Sequence, residues 1–461
     1  MDSGDKNLLE RLEAIVGVAG VLEAAEAAKR TAGVLRSDAI QCRALVRPSS
    51  TDEVSAVLRL CREAGCSVVT QGGLTGLVHG ADATAAQIVL SLERMNQIEQ
   101  IDVQQRVAVA QAGVTLQALQ EAVEAESLMF PLDLGARGSA TIGGNAATNA
   151  GGNRVIRYGM MRERVLGLEA VLADGTVISS MNRMIKNNTG YDLKQLFIGS
   201  EGTLGVITRL VLRLAESPAS QNVALVAVPN FDATIRLLKH MDQGLGGGLS
   251  AFELMWREFY QLVTTPPAQS APPLPSDYPF YVLIEFQGGH ETADHERFIT
   301  VLEEAMENGL VADAAIASSE RELHALWALR DDVLQTARYG MPFAFDVSLP
   351  IADMEAYVHT VQKSLSARWP DSHCWVFGHM GDGNLHVVVH TGNSADRSAV
   401  EKMVYDPLVA IGGSVSAEHG IGLEKKKYLP LSRDPAEIAL MHTLKQALDP
   451  QNMLNPGKII D

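Results

Sequence analysis

Thr70-Gln71-Gly72-Gly73-Leu74-Thr75-Gly76-Leu77-Val78-His79-Gly80 follows directly on the apolar pair Val68-Val69, which reads as a strand. Adjacent glycines let successive backbone N–H groups turn together toward an anion, as in a nest around phosphate. A second stretch opens with Pro131-Leu132-Asp133-Leu134-Gly135 and runs through Thr141-Ile142-Gly143-Gly144-Asn145-Ala146-Ala147-Thr148-Asn149-Ala150-Gly151-Gly152. Its lack of bulk suits close backbone approach to a flat ligand. A third is Gly199-Ser200-Glu201-Gly202-Thr203-Leu204-Gly205-Val206-Ile207-Thr208. None is a Walker A sequence, and none has the G-x-G-x-x-G of a Rossmann unit. Taken singly, each also reads as a set of tight turns. Taken together and in order, they are far more specific.

Around these segments, residues 44 to 215 alternate short β-type runs with helices. A helix from Thr51 to Gly65 is expected, capped by Ser50 or Thr51, and another from Leu116 to Glu124. Strands are expected over Gln87 to Leu92 and Arg106 to Ala110. Residues 1–37 read as amphipathic helices, 38–217 as the glycine-bearing domain, 218–411 as a second domain and 412–461 as a C-terminal helical segment packing back on the first. Beyond Ser217-Pro218, long helices (Asp232 to Met241, Ala293 to Glu307, Ser319 to Tyr339) alternate with strands such as Val223 to Val228 and Tyr281 to Phe286. That pattern predicts an α+β domain whose sheet is covered on one face. Thr264 to Pro279 holds six of the 18 prolines and reads as a surface loop.

Bulk properties narrow the partners. The chain has 461 residues, 46% hydrophobic and 20% charged, with a formal net charge of -17. Such an acidic chain repels phosphate backbones, so no nucleic-acid partner is expected. No window approaches the roughly 18 apolar residues of a membrane span. The N-terminal stretch lacks a secretory pattern, and Cys42, Cys61, Cys66 and Cys374 show no paired spacing and read as buried thiols. A cytoplasmic address is the default expectation, and a homodimer the default assembly.

The three glycine segments in this order resemble the FAD-binding domain of the vanillyl-alcohol oxidase / p-cresol methylhydroxylase superfamily. The later half resembles the C-terminal domain of FAD-linked oxidases. The resemblance implies a two-subdomain FAD-binding domain plus an α+β substrate, or cap, domain with an antiparallel sheet. It implies FAD held by Gln71, Gly72, Gly73, Leu74, Thr75, Gly76, Pro131, Asp133, Leu134, Gly135, Ser139, Thr141, Gly143, Gly144, Asn145, Thr148, Asn149, Gly151, Gly152, Glu201, Gly202, Gly205, Val206, Ile207 and Asn455. Some members of the superfamily bind FAD covalently through a His or Cys just after the first glycine pair. Here Leu74 stands there, so the cofactor is expected to be non-covalent.

Cys374 to His390 reads as strand, turn and strand, with Gly381-Asp382-Gly383 supplying the turn. His379 and His386 flank it. On paired strands their Cβ atoms could lie roughly 5 Å apart on one face, and two such imidazoles invite a metal. Glu418-His419 in the glycine-bounded loop Ser414 to Gly422 offers a carboxylate and a base. Spacing alone equally fits two strand histidines and a solvated Glu-His pair. The pattern His379-x-Gly-Asp-Gly-Asn-x-His386 with Glu418-His419-Gly420-x-Gly422 resembles the metal motif of the D-lactate and D-2-hydroxyglutarate dehydrogenase branch. That resemblance implies His379, His386 and Glu418 as ligands, zinc first and manganese second, with His419 as general base.

Arg330 falls in the apolar stripe of the Ser319 to Tyr339 helix, where a guanidinium needs an anionic partner. A structural salt bridge to Asp346 or another acid is one reading. The resemblance gives the other, a grip on the 1-carboxylate of a D-2-hydroxy acid. In the 2-hydroxyglutarate enzymes a lysine and an asparagine help hold the distal carboxylate, and the matching positions here are Ala344 and Val388. With Phe343 and Phe345 flanking Ala344, an apolar tail is expected, as in D-lactate or longer homologues. The implied reaction is oxidation to the 2-oxo acid, with electrons passed to a quinone, an electron-transfer flavoprotein or a cytochrome. The alternatives are oxidation of D-2-hydroxyglutarate or D-malate, lyase or transferase chemistry of the alkylglycerone-phosphate synthase type, and a non-catalytic FAD-binding electron carrier.

Overall fold

Ser50 accepts a hydrogen bond from Glu53 N and caps the helix Thr51–Glu63, while Glu53 reaches back to Ser49 N. This helix is one of the local elements that set the frame of a computed structural model, which describes residues 3–34 and 36–461, the side chains of 3–6 aside. The chain divides into two units. One runs up to Gly152 and includes Gly159–Ser217 and Glu418–Asp461; the other comprises Asn153–Tyr158 and Pro218–Ala417.

The first unit holds two main sheets. Ala44–Val46, Ile88–Ser91 and Val68–Gln71 pair in parallel, with Val21–Glu23 antiparallel at the edge. The N-terminal segment is therefore not wholly helical: the helix stops at Val16, and Val21–Glu23 gains a ladder partner instead. A five-stranded antiparallel sheet follows the order Ile98–Asp102, Val107–Gln111, Val206–Arg213, Val165–Val171, Val177–Ser180. The helix Leu116–Glu124 forms as expected, capped by Thr115. The chain end returns to the first sheet, where Asn455 N donates to Val68 O and Val68 N to Met453 O. Lys445 is buried and donates to Asp449, Thr203 O and Leu454 O, so this cation is fully employed in fixing the tail.

The second unit is built on a seven-stranded antiparallel sheet. Its order is Asp313–Ile316, Ser220–Val228, Phe280–Gly288, Leu249–Trp256, His373–His379, Asn384–His390, Phe343–Ser348. The sheet is covered on both faces in its first half, not one. Val223 to Val228 are all fully buried, and Leu249–Trp256 is buried throughout; the first is an unbroken apolar run and the second is interrupted only by Ser250 and Glu253. Helices Phe231–Leu245 and Glu291–Glu307 pack on one side, and Leu326, Trp327 and Leu329 join the core on the other. The helix starting after its Ser319 cap ends at Asp331, and Val333–Tyr339 continues as a 3₁₀ segment. The proline-rich stretch is a loop, as expected. Burial raises three thiols, Cys42 to about 11 and Cys61 and Cys374 to about 12, which suits inert packing.

Candidate active site

In the first unit the three glycine segments converge on one cavity of about 320 Å³. It is lined by Gly72, Gly73, Leu74, Thr75 and Gly76; by Leu134, Gly135, Thr141, Gly143, Gly144, Asn145, Thr148 and Gly151; and by Glu201, Gly202, Gly205, Val206, Ile207 and Asn455. The glycines do two different jobs. A Cβ on Gly73 would lie 1.7 Å from Ser139 O, and one on Gly143 2.5 Å from the Ala112 Cβ, so these positions exist to let segments touch. A Cβ on Gly76 or Gly135 would meet nothing within 4 Å, so these leave the cavity open.

Six of the expected cofactor residues stand behind the lining. Gln71 is buried and donates to Ala81 O, and Asn149 accepts from Arg162 N. Ser139 supports Gly73, and Gly152 packs on Asp133 O. Pro131 and Asp133 are likewise absent from the wall. Arg36, His79 and Asp82, which sequence reasoning passed over, line it. Arg36 donates to Asp82 Oδ1 at 2.6 Å and lies 3.0 Å from His79 Nδ1. The residues fit a flat, phosphate-bearing cofactor such as FAD. The cradle is made of glycine and alanine, and the buried Asn145 Nδ2 and Thr70 Oγ1 have no partner among the described residues, polar groups that a ligand would satisfy.

Glu418 and His419 line this same cavity. Two constraints hold their loop. Gly420 and Gly422 take positive φ, and a Cβ on Gly422 would sit 2.0 Å from Val78 O. Glu201 is buried beneath, accepting from Ile421 N at 2.7 Å and Gly422 N at 2.8 Å. Burial pushes the Glu201 carboxyl above its usual range, against the pull of those two N–H groups.

In the second unit the strands His373–His379 and Asn384–His390 are joined by a tight turn ending at Gly383, in the left-handed region. His386 stands opposite Phe377, and His379 opposite Glu253 of the neighbouring strand. The two histidines are thus diagonal neighbours, not direct ones, and still bring their Nε2 atoms to 3.4 Å. Glu253 Oε1 lies 2.7 Å from His379 Nδ1, and its Oε2 accepts from Arg330 Nε at 2.8 Å. Arg330 Nη2 is 3.3 Å from His379 Nε2, and the Arg330 guanidinium lies over the Phe377 ring. Arg330, Glu253 and His379 are all buried. Burial would raise the Glu253 carboxyl, but its hydrogen-bonded neighbours His379 and Arg330 outweigh it and hold it well below its usual range. Two imidazole nitrogens meeting here, one backed by a carboxylate, are a donor set that suits zinc or another borderline divalent cation.

Arg330 therefore has an acid partner, but it is Glu253 and not Asp346. Asp346 is fully buried and accepts from Asn384 Nδ2 and Ala417 N, with His386 Nδ1 3.8 Å away. Ala344 and Val388 face each other across their strands, on the His386 face, with Trp375 on the other side of Val388. Phe343 and Phe345 alternate to the opposite face, where Phe345 packs edge-on against Tyr405 and Phe343 lies under Arg397. They do not belong with Ala344. Sequence reasoning also missed Glu253 and Glu285. Each is a lone carboxylate inside an apolar strand, a signal that was readable, since such a group must find a partner.

Comparison with known proteins fits this geometry. A family model described as FAD linked oxidases, C-terminal domain, matches residues 217–459, and one described as FAD binding domain matches residues 42–180. A D-2-hydroxyglutarate dehydrogenase, mitochondrial, of Bos taurus is 44% identical over 422 residues, covering 91% of this chain and 77% of that protein. A D-2-hydroxyglutarate dehydrogenase of Xanthomonas citri pv. viticola is 40% identical over 91% of this chain and 89% of its own length. A protein of Schizosaccharomyces pombe named as a mitochondrial D-lactate dehydrogenase is 39% identical over 90% and 81%. Among solved structures, p-cresol methylhydroxylase superposes with a TM-score of 0.77 at 16% identity, covering 100% of this chain and 98% of that one. Alkyldihydroxyacetonephosphate synthase gives 0.77 at 16%, covering 98% and 84%. These two likenesses show the fold alone. The chain belongs to the FAD-linked oxidases, with a fold shared by p-cresol methylhydroxylase and sequence relatives named as D-2-hydroxyglutarate and D-lactate dehydrogenases.

Proposed function

We propose that this flavoenzyme oxidises a D-2-hydroxy acid to the 2-oxo acid, using a divalent metal held by His379, His386 and Glu418. The observation that carries the proposal is the meeting of His379 Nε2 and His386 Nε2 at 3.4 Å beside the buried Arg330. FAD, when bound, supplies the acceptor for the two electrons that leave the substrate carbon. A divalent cation, when bound, supplies the charge that makes the substrate hydroxyl more acidic.

The chain's own residues do the rest. Arg330 offers a planar donor fork that matches a carboxylate. His419 takes the hydroxyl proton, the role of a general base. The electrons then pass to a non-nicotinamide acceptor.

For the substrate's tail, the proposal is an apolar one. Val388 follows His386 by two residues, about 7 Å along the same face, and its neighbours there are Ala344 and Trp375. A bare carboxylate is poorly solvated against Val388 and Trp375. D-2-hydroxyglutarate is the second reading, favoured by the names of the relatives from Bos taurus and Xanthomonas citri pv. viticola. Comparing kcat/KM for D-2-hydroxyglutarate, D-malate, D-lactate and D-2-hydroxybutyrate with an artificial acceptor decides between them. A preference for D-lactate or D-2-hydroxybutyrate supports the apolar tail, and a preference for the dicarboxylates overturns it.

A further inference from the structure

We propose that Glu253 is a positioning residue that sets the metal-ligand histidine and the substrate-binding arginine together, an inference that rests on the roles given above to His379 and Arg330. Its carboxylate is 1% exposed and stands between Phe252 and Leu254 in the apolar strand Leu249–Trp256. A carboxylate there costs several kcal/mol to desolvate, and an apolar residue of similar volume is often no less stable than a buried ion pair. Stability alone does not explain its presence.

Its two oxygens do separate work. Oε1 faces His379 Nδ1 at 2.7 Å, and Oε2 takes Arg330 Nε at 2.8 Å. An ionised carboxylate only accepts, so His379 carries its proton on Nδ1 toward Glu253. Nε2 is then the nitrogen that can ligate, and it is the one that faces His386. On the other side, fixing Nε fixes the plane of the whole guanidinium, with the Phe377 ring 5.1 Å from Arg330 Cζ as its floor. The register supplies the precision, since Glu253 and His379 are direct cross-strand partners on adjacent central strands. One buried carboxylate thereby couples metal affinity to substrate affinity.

Glutamine cannot replace both acceptors, because its amide nitrogen only donates. Glu253→Gln should lower zinc affinity about 10- to 100-fold, measured by competition with a chromogenic chelator. At saturating zinc it should also raise KM for D-2-hydroxybutyrate more than it lowers kcat. Arg330→Met should raise KM without lowering zinc affinity. The double variant should show the zinc loss of Glu253→Gln with no KM increase beyond that of Arg330→Met, the non-additivity expected if Glu253 acts on substrate through Arg330. His386→Ala is the control for the metal itself. Zinc affinity and KM both within twofold of wild type in Glu253→Gln, while His386→Ala loses zinc and Arg330→Met loses substrate, would overturn the inference and leave the functional reading standing. Unchanged zinc affinity in His386→Ala would remove the metal reading and this inference with it. If Glu253→Gln does not fold, a crystal structure of the zinc-loaded wild type decides: bonding through His379 Nε2 supports the proposal, and bonding through Nδ1 overturns it.

Discussion

The cavity of the first unit and the imidazole cluster of the second are made from opposite materials. The cavity is shaped by missing side chains, with glycines that either let backbones touch or leave space open. The cluster is shaped by polar side chains fixed by one another: Glu253 holds His379 of the next strand and Arg330 of the helix that ends at Asp331. A cradle of backbone is broken by adding one carbon. A cluster of charges is broken by removing one partner.

The sharpest way to break that contrast is at Gly73. Gly73→Ala forces a Cβ to 1.7 Å from Ser139 O and should cost more than about 3 kcal/mol, leaving a colourless protein. Gly76→Ala meets nothing within 4 Å, so stability should hold within about 0.5 kcal/mol while FAD affinity falls. Urea denaturation and bound-flavin content check both. Equal behaviour of the two variants would erase the distinction between packing glycines and ligand-facing ones.

The second unit should respond to loss of a partner. Arg154 donates to Glu285 through Nε at 2.8 Å and Nη2 at 3.1 Å, and Ser250, Gln221 and Trp327 also donate to this fully buried carboxylate. Burial would raise the Glu285 carboxyl, but Arg154 and the other donors hold it below its usual range. Arg154→Met should cost about 3 kcal/mol at pH 7. Because the folded-state pKa is lowered, the pair's stability is present above the unfolded value, about 4.3, and is lost as pH falls through the folded one. The gap between wild type and variant should therefore narrow from pH 7 to pH 4 in urea midpoints. A gap that widens on acidification would contradict the sign.

His419 belongs to the cavity but contributes a side chain. His419→Ala should keep the yellow colour and the fold and lose on the order of 100-fold in kcat, about 2.7 kcal/mol. The smallest effect is expected at a cap: Ser50→Ala removes the acceptor for Glu53 N and should cost about 1 kcal/mol in thermal denaturation.

The two regions were also unequally legible. Glycine segments announce themselves, because small residues in a fixed order are a local property; most of the cavity's lining was legible from them, whereas Arg36, His79 and Asp82 were not, and Gln71, Pro131, Asp133, Ser139, Asn149 and Gly152 fall outside the lining. His379 and His386 were legible because a seven-residue spacing closes through a tight turn. Their diagonal register was not, since the one-residue details of the turn decide it. Glu253 lies 126 positions from His379 in sequence, and only the sheet order makes them neighbours. Phe343 and Phe345 misled because sequence adjacency in a strand means opposite faces. The two-sided cover of the sheet was written in runs such as Val223 to Val228, where apolar residues do not alternate with polar ones.

The most direct test of the account is an anaerobic titration of the purified enzyme that follows the flavin's yellow absorbance. D-2-hydroxybutyrate should bleach the metal-loaded protein and the L-enantiomer should not. Chelation should stop the bleaching without releasing FAD, and zinc or manganese should restore it. Bleaching by both enantiomers, or bleaching that survives complete removal of metal, would contradict the proposed roles of Arg330, His379 and His386.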